Sequence, residues 1–266
     1  MRKFLFLPLL ALLASCGKNE DCDIVTPQPE DLVSPALYAT LSQSSTDPYN
    51  GPLEVLPCET NGSFYIGNYT AKGKQVPFPA YYLITNGIGK SQKYPLRLPV
   101  GTYNVIYWGY PDYFGTAGDA YLADPTLIIG KKLNTTSLGL RKIPGDTVYY
   151  PIHSLVYGTQ NINIGKDDLQ AHLKHASAAL SVIVSETNGD AFSDAIDSMW
   201  IYISNIYSNL NYFSARPEGT FKTISFGLKP STNRTEFNNN FVSVFPSQPN
   251  PCLLYTSPSP RDAHES

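Results

Sequence analysis

The sequence predicts an all-β protein, and three observations support this fold class. Aromatic residues make up 12% of the 266 residues, including 19 Tyr, whereas charged residues make up only 15%. Aromatic side chains are enriched in strands because they fit a half-buried pleated surface. Turn-forming residues are frequent, with 22 Pro and 19 Gly, and they separate short apolar runs of strand length. This spacing favours β-sandwiches over alternating strands and helices.

The N-terminus has the pattern of a bacterial lipoprotein signal. A basic start is followed by an apolar run over residues 4–14, which is too short to span a bilayer. The run ends in Leu13-Ala14-Ser15-Cys16, which matches the lipoprotein box at the point where cleavage is expected. We therefore predict a signal peptide over residues 1–15 and lipid attachment to the sulfur of Cys16. Several acyl chains on one residue would hold the protein stably on a membrane.

Residues 16–35 are predicted to be a tether, because Pro27, Pro29 and Pro35 lie among acidic and polar residues. The short acidic stretch over residues 17–23 resembles the export signal that sends lipoproteins to the cell surface in Bacteroides-like bacteria. An ordinary solvated tether is the alternative reading of this segment. No aspartate follows Cys16 directly. We expect a lipid-anchored protein of the outer membrane, exposed at the cell surface.

The last residues resemble a translated sequencing adaptor. We therefore predict that residues 252–266 are not native and that the second domain is incomplete. Without this tail, three cysteines remain, Cys16, Cys22 and Cys58. If Cys16 carries the lipid, Cys22 and Cys58 could form a disulfide in an oxidising compartment, or both could be buried thiols.

Two domains are predicted, over residues 36–165 and 166–251. The clearest strand of the first domain follows a Pro/Gly turn and runs to Trp108, with alternate residues on one face. In the second domain, residues 166–175 read either as a short helix or as a sheet edge, and Asn188-Gly189 predicts a hairpin. Further strands are expected near residues 63–66, 81–85, 94–98, 124–129, 147–152, 160–164, 178–184, 199–203, 220–228 and 237–245.

Charge and motifs argue against several functions. The chain has 19 Lys and Arg against 22 Asp and Glu, so it lacks the basic footprint of a nucleic-acid binder. Residues 87–91 imitate the end of a phosphate-binding loop, but Ile84 replaces the required glycine. His172 and His175 would face one metal only if their segment were helical. We expect no enzymatic activity, no cofactor and no metal.

An aromatic and acidic segment follows the clearest strand. It contains Trp108, Tyr110, Asp112, Tyr113 and Phe114. Aromatic faces beside carboxylates suit sugar rings, whose C–H faces stack while their hydroxyls donate to acids. The alternative is that these aromatics pack across the sandwich or against a partner subunit. The sequence favours packing.

Several segments together resemble the fimbrillin and fimbrial anchor lipoproteins of Bacteroides-like bacteria. They are the lipoprotein box, the run Leu98-Pro99-Val100-Gly101-Thr102-Tyr103 with Tyr107-Trp108-Gly109, and residues 175–184 and 200–206. The resemblance implies two transthyretin-like β-sandwiches in tandem that polymerise by strand exchange, in which ladder hydrogen bonds supply affinity. The segment Glu30-Asp31-Leu32 departs from the usual opening of the anchor subgroup, because no cysteine follows it closely.

We therefore expect a structural or anchoring subunit of a fimbria, with other fimbrial subunits as partners and with the membrane reached through the lipid. The alternative function is a surface glycan-binding lipoprotein of a polysaccharide-uptake system, which would use the aromatic segment around Trp108.

Overall fold

The computed structural model describes residues 32–41, 47–58, 80–91, 95–111, 122–123, 127 and 132–247, together with the backbone of residues 254–257. The signal peptide and the predicted tether up to residue 31 lie outside the described residues, as do the strand expected at 63–66 and most of the one expected at 124–129. The described strands are Leu32–Val33 (β1), Leu37–Leu41 (β2), Asp47–Pro48 (β3), Gly51–Cys58 (β4), Ala80–Thr85 (β5), Ile88–Ser91 (β6), Leu98–Pro99 (β7), Gly101–Gly109 (β8), Leu122–Ala123 (β9), Ser137–Leu140 (β10), Val156–Ile164 (β11), Leu169–His175 (β12), Ala178–Leu180 (β13), Ile183–Ser185 (β14), Met199–Asn211 (β15), Pro217–Pro230 (β16), Glu236–Asn238 (β17), Val242–Val244 (β18) and Leu254–Ser257 (β19).

The first sheet closes on itself. Its strands run in the order β12-β11-β8-β4-β5-β6-β2, and β12 also pairs with β2, so the first and last strands of the order are neighbours. The closing pair is parallel, with Leu169 opposite Leu37, whereas the other pairs of the ring are antiparallel. Among the described residues, each strand of the ring has a neighbour on both sides, an arrangement that protects strands from pairing with other chains. We call this ring the closed sheet.

Side chains alternate between the inside and the outside of the closed sheet. In β8, Val105 and Tyr107 belong to the core inside the ring, whereas Ile106 and Trp108 belong to a second core outside it. All four side chains are fully buried, at 0% exposure. An antiparallel strand with one solvated face would alternate buried and exposed residues. The outer face of β8 must therefore be covered by another layer.

That layer is the second sheet, with strand order β14-β17-β16-β15-β10-β9, to which β19 adds beside β15. The buried residues of β15 and β16, including Ile203 and Ile224, join Leu56, Ile106 and Trp108 of the closed sheet in one core. The two sheets are thus held together by a continuous apolar layer. An additional two-stranded ribbon is formed by β13 and β18.

The all-β class is confirmed, but strand pairing does not divide the chain between residues 165 and 166. The segment 166–175 was predicted to form either a short helix or a sheet edge. It contains strand β12, which pairs with β11 and β2 of the closed sheet. Conversely, β10 precedes residue 165 and pairs with β15 of the second sheet. The sequence pattern predicts many of the strands, but it carries no information on which distant strand each one joins.

Candidate functional site

The structure describes some of the predicted site residues and not others. Cys16, Cys22, Asp112, Tyr113 and Phe114 lie outside the described residues, so their roles stay predictions. The described ones are Cys58, Trp108 and Tyr110. Tyr110 is half-buried and packs against the core between the two sheets.

Trp108 is an interior residue. Its side chain has no exposed surface, its indole Nε1 donates a hydrogen bond of 3.0 Å to the carbonyl of Tyr212, and its ring lies 5.4 Å from the Tyr212 ring. The ring centroid of Tyr157 lies 4.9 Å away on another side. Of the two readings of the aromatic segment, packing across the layers therefore holds for Trp108, and its ring has no free face for a sugar.

Trp108 is the centre of a row of three outward-facing residues on neighbouring strands of the closed sheet. In strand register, Glu54 of β4 and Tyr157 of β11 stand on either side of it. The Tyr212 hydroxyl donates to Glu54 Oε2, and the Tyr157 hydroxyl donates to the carbonyl of Phe213. We call Glu54, Trp108 and Tyr157 the interface row. Each of them makes a polar contact to residue 212 or 213, and these contacts fix the alignment of the two sheets.

The interface row is poorly accessible to water. Glu54 is 8% exposed. Burial raises the pKa of Tyr157 above its ordinary value, and the nearby Cys58 thiol raises it further. The phenol therefore stays protonated and keeps its role as donor to the Phe213 carbonyl. The Tyr157 phenol and the Trp108 indole N–H therefore act as hydrogen-bond donors between the two layers.

Cys58 ends β4 on the same outer face. It is buried, and its Sγ donates a hydrogen bond of 3.2 Å to the carbonyl of Asn104. Since Cys22 lies outside the described residues, the Cys22–Cys58 disulfide stays a prediction.

His172 and His175 lie in strand β12. Residues three apart in a strand point to opposite faces, so these two side chains are separated. His172 Nδ1 lies 3.0 Å from Thr40 Oγ1 on the neighbouring β2, and His175 ends β12. Among the described residues, no three His, Cys, Asp or Glu side chains are grouped to hold a metal ion. Within the same part of the chain, no helix is long and apolar enough to cross a bilayer.

The second sheet presents a strand edge along β15. At its C-terminal end, Ser137–Gly139 of β10 pair with Asn209–Asn211. Further along the same edge, Ile206 forms a bridge with Ser247, and Trp200–Ile203 pair antiparallel with Leu254–Ser257. Ser247 and Leu254–Ser257 therefore lie along this edge, and we call the part of it at Trp200–Ile203 the acceptor edge.

The acceptor edge has the alternation that strand addition uses. Ile201 and Ile203 point into the core between the layers, whereas Trp200 is 41% exposed and Tyr202 is half-buried. Backbone groups on such an edge bind any extended chain, and the alternating side chains select among chains. The sequence indicated the strand at 199–203 but could not indicate that one of its edges is filled by residues near the C-terminus.

Solved structures share this fold. A proposed adhesin from Bacteroides ovatus superposes with a TM-score of 0.53 at 11% identity, over 87% of this chain and 75% of the other. A proposed polysaccharide-binding protein from Bacteroides thetaiotaomicron gives a TM-score of 0.50 at 15% identity, over 84% of this chain and 76% of the other. The fimbrial anchor protein Mfa2 from Porphyromonas gingivalis gives 0.47 at 13% identity, over 84% and 77%.

The closed sheet, the second sheet and their shared core therefore define an all-β protein with an adhesin-like fold. No curated protein matches the chain. Residues 27–258 match the family of fimbrillin-A associated anchor proteins Mfa1 and Mfa2, and the chain belongs to this family. Its role is that of a fimbrial subunit of the cell envelope, and the predicted family resemblance is confirmed.

Proposed function

We propose that the chain is a lipid-anchored outer-membrane subunit that holds a fimbria on the cell surface and joins other fimbrial subunits by strand addition. The closed sheet and the second sheet correspond in this proposal to the two transthyretin-like units that the resemblance implies. The observation that carries the proposal is the acceptor edge, where Trp200–Ile203 take Leu254–Ser257 as an antiparallel neighbour.

The origin of the added strand supports the proposal that this edge accepts strands from other chains. Leu254–Ser257 lie within residues 252–266, which the sequence predicts to be non-native. A segment that did not evolve with the sheet would pair there only through backbone hydrogen bonds, which any extended strand offers equally. A strand from a partner subunit with side chains fitted to the edge would bind more tightly.

A reversible disulfide tests the acceptor edge. Tyr202 and Tyr255 are Cα partners, so Tyr202→Cys with Tyr255→Cys would lock the tail on the edge. We expect the locked protein to lose incorporation into fimbriae when oxidised and to recover it on reduction, as scored by immunogold labelling of isolated fimbriae. The single Tyr202→Cys variant is the control. Equal incorporation with the lock closed would exclude this edge as the site of assembly.

The lipid anchor has a separate test. Cys16→Ala should move the protein from the membrane fraction to the soluble fraction and abolish palmitate labelling, because the lipid-bearing sulfur is missing. Cys22→Ala is the matched control and should keep both. Palmitate labelling that persists in the Cys16→Ala protein would remove the anchoring proposal and leave the acceptor edge unaffected.

The alternative function used an exposed aromatic segment to bind glycans. Its principal residue, Trp108, is buried between the two sheets. This observation favours the structural role over a glycan-binding role at that segment.

A further inference from the structure

One side of the closed sheet carries large apolar side chains at its surface. It is formed by β2, β5 and β6, where Tyr38 and Leu83 are each 41% exposed and Ile88 is 61% exposed. Ile88 is the Cα partner of Tyr38, and Leu83 is the Cα partner of the exposed Lys90, so all four share the outer face of neighbouring strands. We call Tyr38, Leu83, Ile88 and Lys90 the β2–β6 face. Contiguous exposed apolar groups of this kind mark interaction sites.

The β2–β6 face lies opposite the second sheet. The second sheet covers the outer side of the closed sheet at β8, where Ile106 and Trp108 are buried in the core between the layers. In the strand order of the ring, β2 and β6 are each three strands away from β8, one in either direction. A surface that contacts the β2–β6 face is therefore separated by the closed sheet from the second sheet and from its acceptor edge.

This side of the ring carries positive charge without an outward carboxylate on its described strands. The other outward positions of β2, β5, β6 and β12 hold Thr40, Tyr81, Thr85, Gln170, His172 and Lys174. Lys90 makes no ion pair within the described part of the chain. Asp168 accepts a hydrogen bond of 3.1 Å from the Ala36 N–H, and Asp47 is the Cα partner of the core-facing Leu41. Two copies of the face would bring lysine against lysine, so the charge favours an anionic partner over a second copy.

The chain that carries the predicted lipid joins the fold beside this face. Leu32–Val33 of β1 pair with Leu98–Pro99, and β2, which carries Tyr38, is the next strand. Fifteen residues separate Cys16 from Leu32, and they span at most about 50 Å when fully extended. Acyl chains on Cys16 would therefore keep the closed sheet close to the bilayer. A contact that is weak by itself becomes populated at the high effective concentration that such a tether creates.

We propose that the β2–β6 face contacts the anionic headgroup surface of the membrane that holds the lipid anchor. Leu83 and Ile88 enter the boundary between headgroups and acyl chains. The Tyr38 ring lies at the level of the headgroups, and the Lys90 ammonium pairs with lipid phosphate. This inference rests on the proposed lipid anchor and adds an orientation to it. Because the second sheet lies on the opposite side of the closed sheet, the acceptor edge is then held away from the bilayer, where another subunit can reach it.

The test is fluorescence quenching on the lipidated protein in vesicles. A nitrobenzoxadiazole label is attached at Thr85→Cys on the outer side of β5 or at Thr220→Cys on β16, an exposed threonine of the second sheet. Cys22→Ser and Cys252→Ser leave the introduced thiol to react, since Cys58 is buried. Phospholipid with a nitroxide on its acyl chain quenches labels that reach the bilayer. In vesicles of phosphatidylcholine with about one-quarter phosphatidylglycerol, we expect roughly threefold stronger quenching at residue 85 than at residue 220.

Two substitutions in the β2–β6 face and two matched controls test which side chains make the contact. Ile88→Asn and Lys90→Glu should each shift the equilibrium about fivefold or more toward the detached state, measured as lost quenching at residue 85. Ile183→Asn replaces another isoleucine that is 61% exposed, and Lys229→Glu replaces another exposed lysine, both on the second sheet. Neither control should alter the quenching. Far-UV circular dichroism of each variant checks that the fold is kept.

Flotation of the protein with the vesicles separates this inference from the proposed anchor. A chain that does not float with the vesicles lacks the anchor, and the inference falls with it. A chain that floats but shows equal quenching at the two labels keeps its anchor and overturns the inference. Equally strong quenching in vesicles of phosphatidylcholine alone would overturn the assignment to an anionic surface. Excimer emission from pyrene at residue 85, without quenching by lipid, would assign the face to a second copy of the chain instead.

Discussion

The Trp108→Ala variant is expected to lose about 3–5 kcal/mol of unfolding free energy, the range for removing a large buried aromatic side chain. Trp108 has no exposed surface and contacts the rings of both Tyr157 and Tyr212. The lost side chain would leave a cavity at the centre of the interface row, where the two sheets share one core. The carbonyl of Tyr212 would also lose the indole donor, 3.0 Å away.

The measurement is urea denaturation followed by far-UV circular dichroism, with the slope against urea concentration checked for constancy. Trp200→Ala is the matched control, because Trp200 is 41% exposed on β15 and its removal opens no cavity between the layers. We expect it to change stability by about 0.5–1 kcal/mol. Equal losses in the two variants would contradict the placement of Trp108 in the interior.

Trp108→Phe separates packing from hydrogen bonding. The phenyl ring keeps most of the contact with Tyr157 and Tyr212, but it cannot donate to the Tyr212 carbonyl. A loss of about 1–3 kcal/mol is expected, the penalty for an unsatisfied buried acceptor plus a small cavity. A loss as large as that of Trp108→Ala would indicate that the hydrogen bond, and not the ring, holds the layers together.

The elements that the sequence predicted correctly are those whose alternation is local. The strand at 81–85 appears as Ala80–Thr85, and the one ending at Trp108 appears as Gly101–Gly109. Alternation of buried and exposed residues in Ala80–Thr85 is complete, so a period of two residues was enough to find it. Residues 147–152 were expected to form a strand, but they make only single bridges, at Tyr149 and Ile152.

The strand predicted at 199–203 continues to Asn211 through a β-bulge after Ile203. The polar pair Ser204-Asn205 resembles the start of a turn. In the structure, Asn205 takes a left-handed conformation and the strand resumes at Ile206. Asn adopts this conformation more readily than most residues, in bulges as well as in turns. The local sequence therefore cannot distinguish a bulge from a turn.

Ring closure depends on contacts that no local pattern contains. Leu37 and Leu169 are Cα partners in the parallel pair that closes the first sheet, although about half of the 266-residue chain lies between them. The same holds for the candidate site residues. Trp108 lies on the strand face opposite Tyr107, and only the arrival of β15 and Tyr212 decides that this face is buried. A sequence pattern assigns a face to a residue, but the topology decides what covers it.

The Tyr212→Phe variant is expected to lose about 2–3 kcal/mol, the upper range for a hydrogen bond to a charged group. The Tyr212 hydroxyl donates to Glu54 Oε2, and both side chains are buried, at 2% and 8% exposure. Phenylalanine preserves the ring that stacks on Trp108 and removes only the donor. The destabilisation arises because a carboxylate oxygen at a dry interface loses a partner that water cannot replace there.

A double-mutant cycle with Glu54→Gln distinguishes this cause from a general weakening of the interface. The neutral amide needs less solvation than a carboxylate, so Tyr212→Phe should cost about 1 kcal/mol less in the Glu54→Gln background than in the unmodified chain. The four proteins are compared by urea denaturation at neutral pH. If the two losses simply add, the Tyr212 hydroxyl stabilises the protein independently of Glu54. A coupling of the expected sign would instead establish that this buried pair contributes to the connection between the closed sheet and the second sheet.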